Sequence, residues 1–179
     1  MHGIVFSELR KFVDHSFGPG AWQKLLKEAG LGNRIYMAIQ EYPDQEAVAL
    51  VEAASRITHK TPTAILEEFG KFIAPQLLQM YKALVQPEWR TLDLIEHTEE
   101  VIHKVVRMKN PGARPAELKC QRISPTELLL IYASPRKMCA LARGIAHGVA
   151  NHFGERLSVT ESRCMLNGAP ECHIRLRVI

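Results

Sequence analysis

Two runs decide the reading of this chain: TLDLIEHTEEVIHKVV at Thr91–Val106 and ELLLIYASPRKMCALARG at Glu127–Gly144. At about 100° per residue, Glu99 and Val106 fall close to His103 on a helix, and Ile95 and Ile102 lie within its reach. The imidazole therefore sits at the edge of an apolar face, where its ring can point inward. His97 falls well round the same helix, so the two histidines do not form a helical metal pair. In the second run Leu128–Ala133 reads as a buried strand. It breaks at Ser134–Pro135, and a helix with Met138, Leu141, Ile145, Val149 and Phe153 along one face is expected from Pro135 to Phe153.

Upstream of these runs the pattern is helical. Gly3–Phe6 is an apolar run too short to type by itself, and Leu9, Phe12 and Val13 follow at helical spacing. After the Gly18–Pro19–Gly20 break, Trp22, Leu25 and Leu26 make a second amphipathic stripe that stops at Gly30 and Gly32. A third helix starts near Pro43–Asp44 and carries Val48, Leu50, Val51, Ala54 and Ile57. Thr61–Pro62 fits an N-cap followed by proline at the first helical position. The helix over 64–86 is apolar almost all round, so burial on more than one side is expected, with Pro75 kinking or dividing it.

Downstream the period changes. Strands are expected at 118–123, 128–133, 157–165 and 172–178, with turns at Ser124–Pro125 and Asn167–Gly168. Helices first, then a mainly antiparallel sheet crossed by one helix, make an α+β fold. The chain is expected to be one unit, with a helical N-terminal lobe over 1–60 and the histidine helix and sheet over 61–179.

Composition narrows the function. With 46% hydrophobic residues in 179, a sizeable core can form. The net charge of +4 comes from scattered basic residues, which gives no nucleic-acid footprint. The opening MHGIVFSELRKF is charged where a signal peptide needs an apolar core, and no run is long enough to span a membrane. A cytoplasmic, soluble protein is expected. Its four cysteines, Cys120, Cys139, Cys164 and Cys172, are then reduced core residues or metal ligands rather than a disulfide framework. No nucleophile–base pair and no phosphate-cradling glycine loop is visible, so no enzymatic activity is expected.

Tyr132, Ser134 and Arg136 converge chemically. A serine before proline at a strand end can cap a helix, and the first-turn N–H groups, two hydroxyls and a guanidinium together suit an anion. The plainer reading is that Ser134 only caps and Arg136 only meets solvent.

Tyr132-x-Ser134-x-Arg136 resembles the signature of the heme-nitric oxide/oxygen binding (H-NOX) domains, which are related to the heme domain of soluble guanylate cyclase. The resemblance extends to Met1-x-Gly3-Ile4-Val5-Phe6, Trp22, Phe69–Gly70, Val101–Ile102–His103 and Pro115. It implies a b-type heme whose iron is bound by His103, whose propionates are held by Tyr132, Ser134 and Arg136, and whose ring is distorted by Pro115. It also places Ile4, Val5, Phe72, Ile73 and Leu141 around the gas-binding side. Family members that bind oxygen stably have a tyrosine five residues after the signature arginine; here that position is Leu141. Nitric oxide and carbon monoxide are the gas ligands so implied, without a stable oxygen complex.

The cysteines extend the likeness. A hairpin symmetrical about Gly168 sets Cys164 opposite Cys172, with Cβ atoms about 4.5–5.5 Å apart. A zinc-binding bacterial subset of H-NOX proteins has cysteines matching Cys139, Cys164 and Cys172, and three thiolates with one more group suit structural zinc. Where that subset has a histidine, this chain has Glu161. His173 is the other candidate for the fourth ligand, although strand alternation turns it to the opposite face. A bacterial-type nitric oxide sensor that regulates a separate histidine kinase or cyclic-dinucleotide enzyme is the implied function. The alternatives are a zinc/thiol redox sensor on the same fold and a heme-free scaffold that binds an apolar ligand or a partner.

Overall fold

The computed structural model describes residues 1–179. Helix α1, Gly3–Phe17, runs through the apolar opening without interruption. Its start is tied down: the Gly3 N–H donates to the Gln40 carbonyl at 2.7 Å, and a Cβ at this position would stand 1.9 Å from the Met37 oxygen. Only glycine fits there. Helices α2 (Ala21–Glu28) and α3 (Asp44–Thr58) follow as the spacing predicts. Helix α4, Pro62–Tyr81, opens with the Thr61 hydroxyl accepting from the Ala64 N–H at 3.2 Å.

Pro75 does not divide α4, contrary to one expectation; the helix runs on to Tyr81 before a short 3-10 turn at Lys82–Leu84. Ile73 and Ala74 beside it are buried, so tertiary packing holds the helix through the missing hydrogen bond. The helix bearing His103 is less regular than its sequence suggests. It begins as α5, Thr91–His97, widens into a π-helical segment over Thr98–His103, and finishes as α6, Lys104–Lys109.

Helix α7 spans Cys139–His152 and starts four residues later than expected from Pro135. Ser134–Lys137 forms a turn instead, closed by the Lys137 N–H on the Ser134 carbonyl at 3.0 Å. Lys137 has φ of 51°, and a left-handed residue cannot belong to a right-handed helix.

The strands are β1 (Glu117–Ser124), β2 (Glu127–Ala133), β3 (Leu157–Arg163) and β4 (Cys172–Val178). They form one antiparallel sheet in the order β1-β2-β4-β3. The fold is α+β, a helical lobe joined to a four-stranded sheet. Leu128, Leu130, Tyr132, Ile174 and Leu176 point to one face, against Leu92 and Ile95 of α5 and Ala146 of α7. A second cluster joins Phe6, Leu9 and Phe12 of α1 to Leu26, Leu50, Phe69 and Ile73. Helices α4 and α7 bridge the two regions at very close range. A Cβ at Gly144 would stand 2.2 Å from the Glu67 oxygen, and one at Gly70 would stand 2.5 Å from the Leu141 oxygen. No helix is long and apolar enough to cross a membrane.

Candidate functional site

His103 ends the π-helical segment, a local widening that recurs at functional sites. Its Nδ1 lies 2.9 Å from Glu99 Oε2. The carboxylate only accepts, so the imidazole N–H is on Nδ1 and the lone pair is on Nε2. Burial pulls the His103 pKa below its ordinary value despite the opposing pull of Glu99. The ring is therefore neutral at pH 7, as a metal ligand must be. Glu99 is itself fixed: Arg107 Nη2 donates to it at 2.6 Å and the Leu118 N–H of β1 at 3.2 Å. Burial alone would raise its pKa, but these donors and His103 outweigh that and hold it low. A histidine steered through its other nitrogen by a carboxylate is the usual support for a metal-binding imidazole. His97 is accounted for elsewhere, stacked on Trp89 with ring centroids 4.7 Å apart.

Tyr132 and Ser134 are each 4% exposed at the end of β2. The Ser134 hydroxyl accepts from the Arg136 N–H at 3.3 Å. The Arg136 guanidinium is held in place rather than free: Nη1 reaches Asp44 Oδ2 at 3.4 Å and Nη2 donates to the Arg114 carbonyl. Asp44 in turn meets the Met1 amine at 2.8 Å. Pro115 follows directly on Arg114, in the link between α6 and β1. The tyrosine, serine and arginine thus come together as a donor set suited to carboxylates, built on a turn and not on a helix terminus.

In the helical lobe, Ile73 is buried, and Val5, Phe72 and Leu141 are partly buried against the N-terminal cluster. Ile4 is also partly buried. These five side chains are hydrocarbon throughout, and partly covered apolar groups are what line a space for a flat apolar ligand. One polar neighbour was not foreseen. Glu8, one helical turn beyond Ile4, is 3% exposed; one carboxylate oxygen accepts from Lys11 Nζ at 2.7 Å and the other has no partner. A carboxylate paired with an ammonium accepts hydrogen bonds and donates none. With the steered Nε2, the carboxylate-binding donors and these apolar walls, the residues present fit a heme.

Cys139, Glu161, Cys164 and Cys172 converge, each offering one ligand atom, with all of these atoms within 4.8 Å of one another. The Cys139 and Cys164 sulfurs are 3.6 Å apart, and those of Cys164 and Cys172 are 3.9 Å apart. Glu161 Oε1 is buried without a partner, while Oε2 accepts from Arg143 Nη1 at 2.7 Å. Three thiols and an orphaned carboxylate oxygen make a donor set that fits zinc. A bulge makes this possible. Glu161 pairs with Ile174 but Arg163 pairs with His173, and the register shift between them lets Glu161 and Cys164, an odd number of residues apart, face the same way. His173 points to the opposite face, where its Nε2 lies 2.9 Å from Glu171. Burial pushes the Cys139 thiol well up from its ordinary value and raises that of Cys172 as well. Cys120 stays apart as a half-buried strand residue whose thiol burial pushes up to about 12.

Sequence reasoning missed Glu99, Asp44, Glu8 and Arg143 as supports. Only Glu99 had a visible signal, its four-residue spacing from His103. Arg143 bridges Glu67 of α4 and Glu161 of β3, partners far away in the chain.

A family model described as Haem-NO-binding matches residues 2–161. Among solved structures, an H-NOX protein from S. oneidensis in the Fe(II)NO ligation state aligns with a TM-score of 0.92 at 24% identity, covering 100% of this chain and 99% of that one. The Fe(II) unliganded H-NOX protein from K. algicida aligns at 0.88 with 20% identity, covering 100% and 97%. A mutant of T. tengcongensis H-NOX aligns at 0.85 with 20% identity, covering 99% and 97%. At these identities the structural likeness is one of fold.

Proposed function

The chain belongs to the haem-NO-binding family, and from that premise we propose that it senses nitric oxide through a b-type heme and controls a separate signalling protein. The observation that carries this is His103, steered through Nδ1 by Glu99 as a metal-binding imidazole is. The heme supplies the iron at which a diatomic gas binds. His103 would be its protein ligand, Tyr132, Ser134 and Arg136 would hold the propionates, and Pro115 would lie against the ring. Ile4, Val5, Phe72, Ile73 and Leu141 exclude water and offer the gas no donor. The role is that of a sensor, not a catalyst, and the partner is a histidine kinase or a cyclic-dinucleotide enzyme in the cytoplasm.

His103 closes the π-helical segment and adjoins α6, so a change in its ligation reaches both elements. Glu99 bonds both His103 and the Leu118 N–H, so the same event is felt in β1. A two-state element coupled to the ligand site is what signalling requires.

Zinc held by Cys139, Cys164, Cys172 and Glu161 fixes the start of α7 to the β3–β4 hairpin. Closed four-ligand sites of this kind are structural, and the Cys139–Glu161–Cys164–Cys172 cluster supports reading the chain as a member of the zinc-binding bacterial subset. The short sulfur separations also favour the second reading, a thiol redox sensor, if the protein is isolated without zinc.

The test is gas selectivity. Oxygen gains from a donor more than nitric oxide does, and a hydrogen bond to a charged partner is worth about 1.5–3 kcal/mol, or about one to two decades in affinity. The ferrous protein is expected to bind nitric oxide and carbon monoxide and to form no stable oxygen complex in air. Leu141→Tyr is expected to begin restoring oxygen binding. A wild-type spectrum that turns stably oxygenated in air contradicts the reading.

A further inference from the structure

The side of the sheet opposite α5 and α7 is open. Strand alternation brings three kinds of residue to it in parallel stripes. On β2, Leu129 and Ile131 are half-buried; on the neighbouring β4, Arg175 and Arg177 are exposed; on the edge strand β3, Ser158 and Thr160 are exposed. The register sets Leu129 beside Arg175 and Arg175 beside Thr160. The β3 bulge adds Arg163 to the cationic stripe, opposite His173, and Lys119 of β1 lies across from Ile131.

Charge on this face is not balanced internally. Arg175 pairs with Glu127 at 2.6 Å and His173 with Glu171 at 2.9 Å, which leaves Lys119, Arg163 and Arg177 without an ion pair against Glu117 on the same side. An apolar strip flanked by arginine is the composition of a protein interface core and its rim. No aromatic side chain lies on these stripes, and without a stacking platform the face is poorly suited to single-stranded nucleic acid. The strands also connect it to the site. Leu118, whose N–H holds Glu99, precedes Lys119, and Tyr132 follows Ile131.

We propose that this open sheet face is the docking surface for an acidic, amphipathic segment of a separate protein. The segment's apolar residues cover Leu129 and Ile131 while its carboxylates meet Arg163 and Arg177. The inference rests on the reading that the chain controls a partner, but its test does not depend on the heme.

The probe is a synthetic amphipathic helical peptide of roughly five turns, with a leucine stripe flanked by glutamates, and a counterpart with lysine for every glutamate. Binding to the protein is followed by calorimetry and by amide chemical shifts. The acidic peptide is expected to bind saturably and to shift the amides of Leu129, Ile131 and Arg177. The Arg163→Glu/Arg177→Glu protein is expected to lose at least about tenfold in affinity, a change of about 1.4 kcal/mol. Reversal of the exposed Lys24 and Lys27 on α2 is expected to leave affinity unchanged. No saturable binding, equal loss in the α2 control, or tighter binding of a uridine oligomer than of the peptide overturns the proposal. Heme content and the nitric oxide spectrum are recorded on the same samples. If they fail while peptide binding holds, the sensor reading falls and the docking face stands; the reverse pattern removes only the docking face.

Discussion

At the scale of single residues, the candidate site is a set of side chains steered by others. His103 is aimed by Glu99, Arg136 by Asp44 and the Arg114 carbonyl, and Glu161 by Arg143. The sequence displays the steered residues more readily than those that steer them. Asp44 lies 92 positions before Arg136, and no local period links them. The fourth member of the cysteine cluster shows the same limit. Alternation alone separates Glu161 from Cys164, and only the bulge reconciles them, because a bulge depends on how β3 pairs with β4. The protein is expected to carry about one zinc per chain and to lose most of it in Cys164→Ser or Cys172→Ser. Glu161→Ala is expected to weaken zinc at least tenfold, whereas His173→Ala is expected to leave it in place. Elemental analysis with a competing chelator checks this; unchanged zinc in Glu161→Ala removes the carboxylate from the ligand set.

Among the elements, caps and alternation were legible and local widenings were not. The Thr61–Pro62 start of α4 and all four strands appear close to where residue patterns place them. The π-helical segment leaves no mark in the sequence, since its apolar spacing is compatible with an ordinary helix. The start of α7 moved because a left-handed Lys137 intervenes. The α4–α7 contact depends on glycine, and Gly144→Ala is expected to cost about 1–3 kcal/mol through overpacking against the Glu67 backbone. Chemical denaturation measures this, and an unchanged midpoint would mean that the helices part without strain. At the start of α5, Glu155 accepts from the Thr91 N–H at 3.2 Å and from Arg90 Nε at 3.2 Å. Burial alone would raise its pKa, but Thr91 and Arg90 outweigh burial and hold it below the usual carboxylate range. The stabilisation is therefore present above the unfolded value of about 4.3 and is lost as the pH falls through the lower folded value. Glu155→Gln is expected to destabilise by about 1–2 kcal/mol at pH 7 and by progressively less below pH ~4. A difference independent of pH contradicts this origin.

For the whole molecule, the α+β order was legible because the hydrophobic period changes from helical to alternating after the His103 helix. What could not be read was the way α4 and α7 bring the two regions together, since close backbone approach appears only as scattered glycines. That juxtaposition packs the cluster of α1 and α4 against α7, which follows the Tyr132–Ser134–Arg136 set in the chain. His103 is proposed to bind the heme iron. The most direct measurement is the absorption spectrum of the purified ferrous protein, wild type beside His103→Gly, with and without added imidazole. Wild type is expected to show a histidine-ligated heme. His103→Gly is expected to lose heme or show an altered spectrum, with imidazole restoring the wild-type bands. An unchanged ferrous spectrum in His103→Gly without imidazole would show that another residue holds the iron.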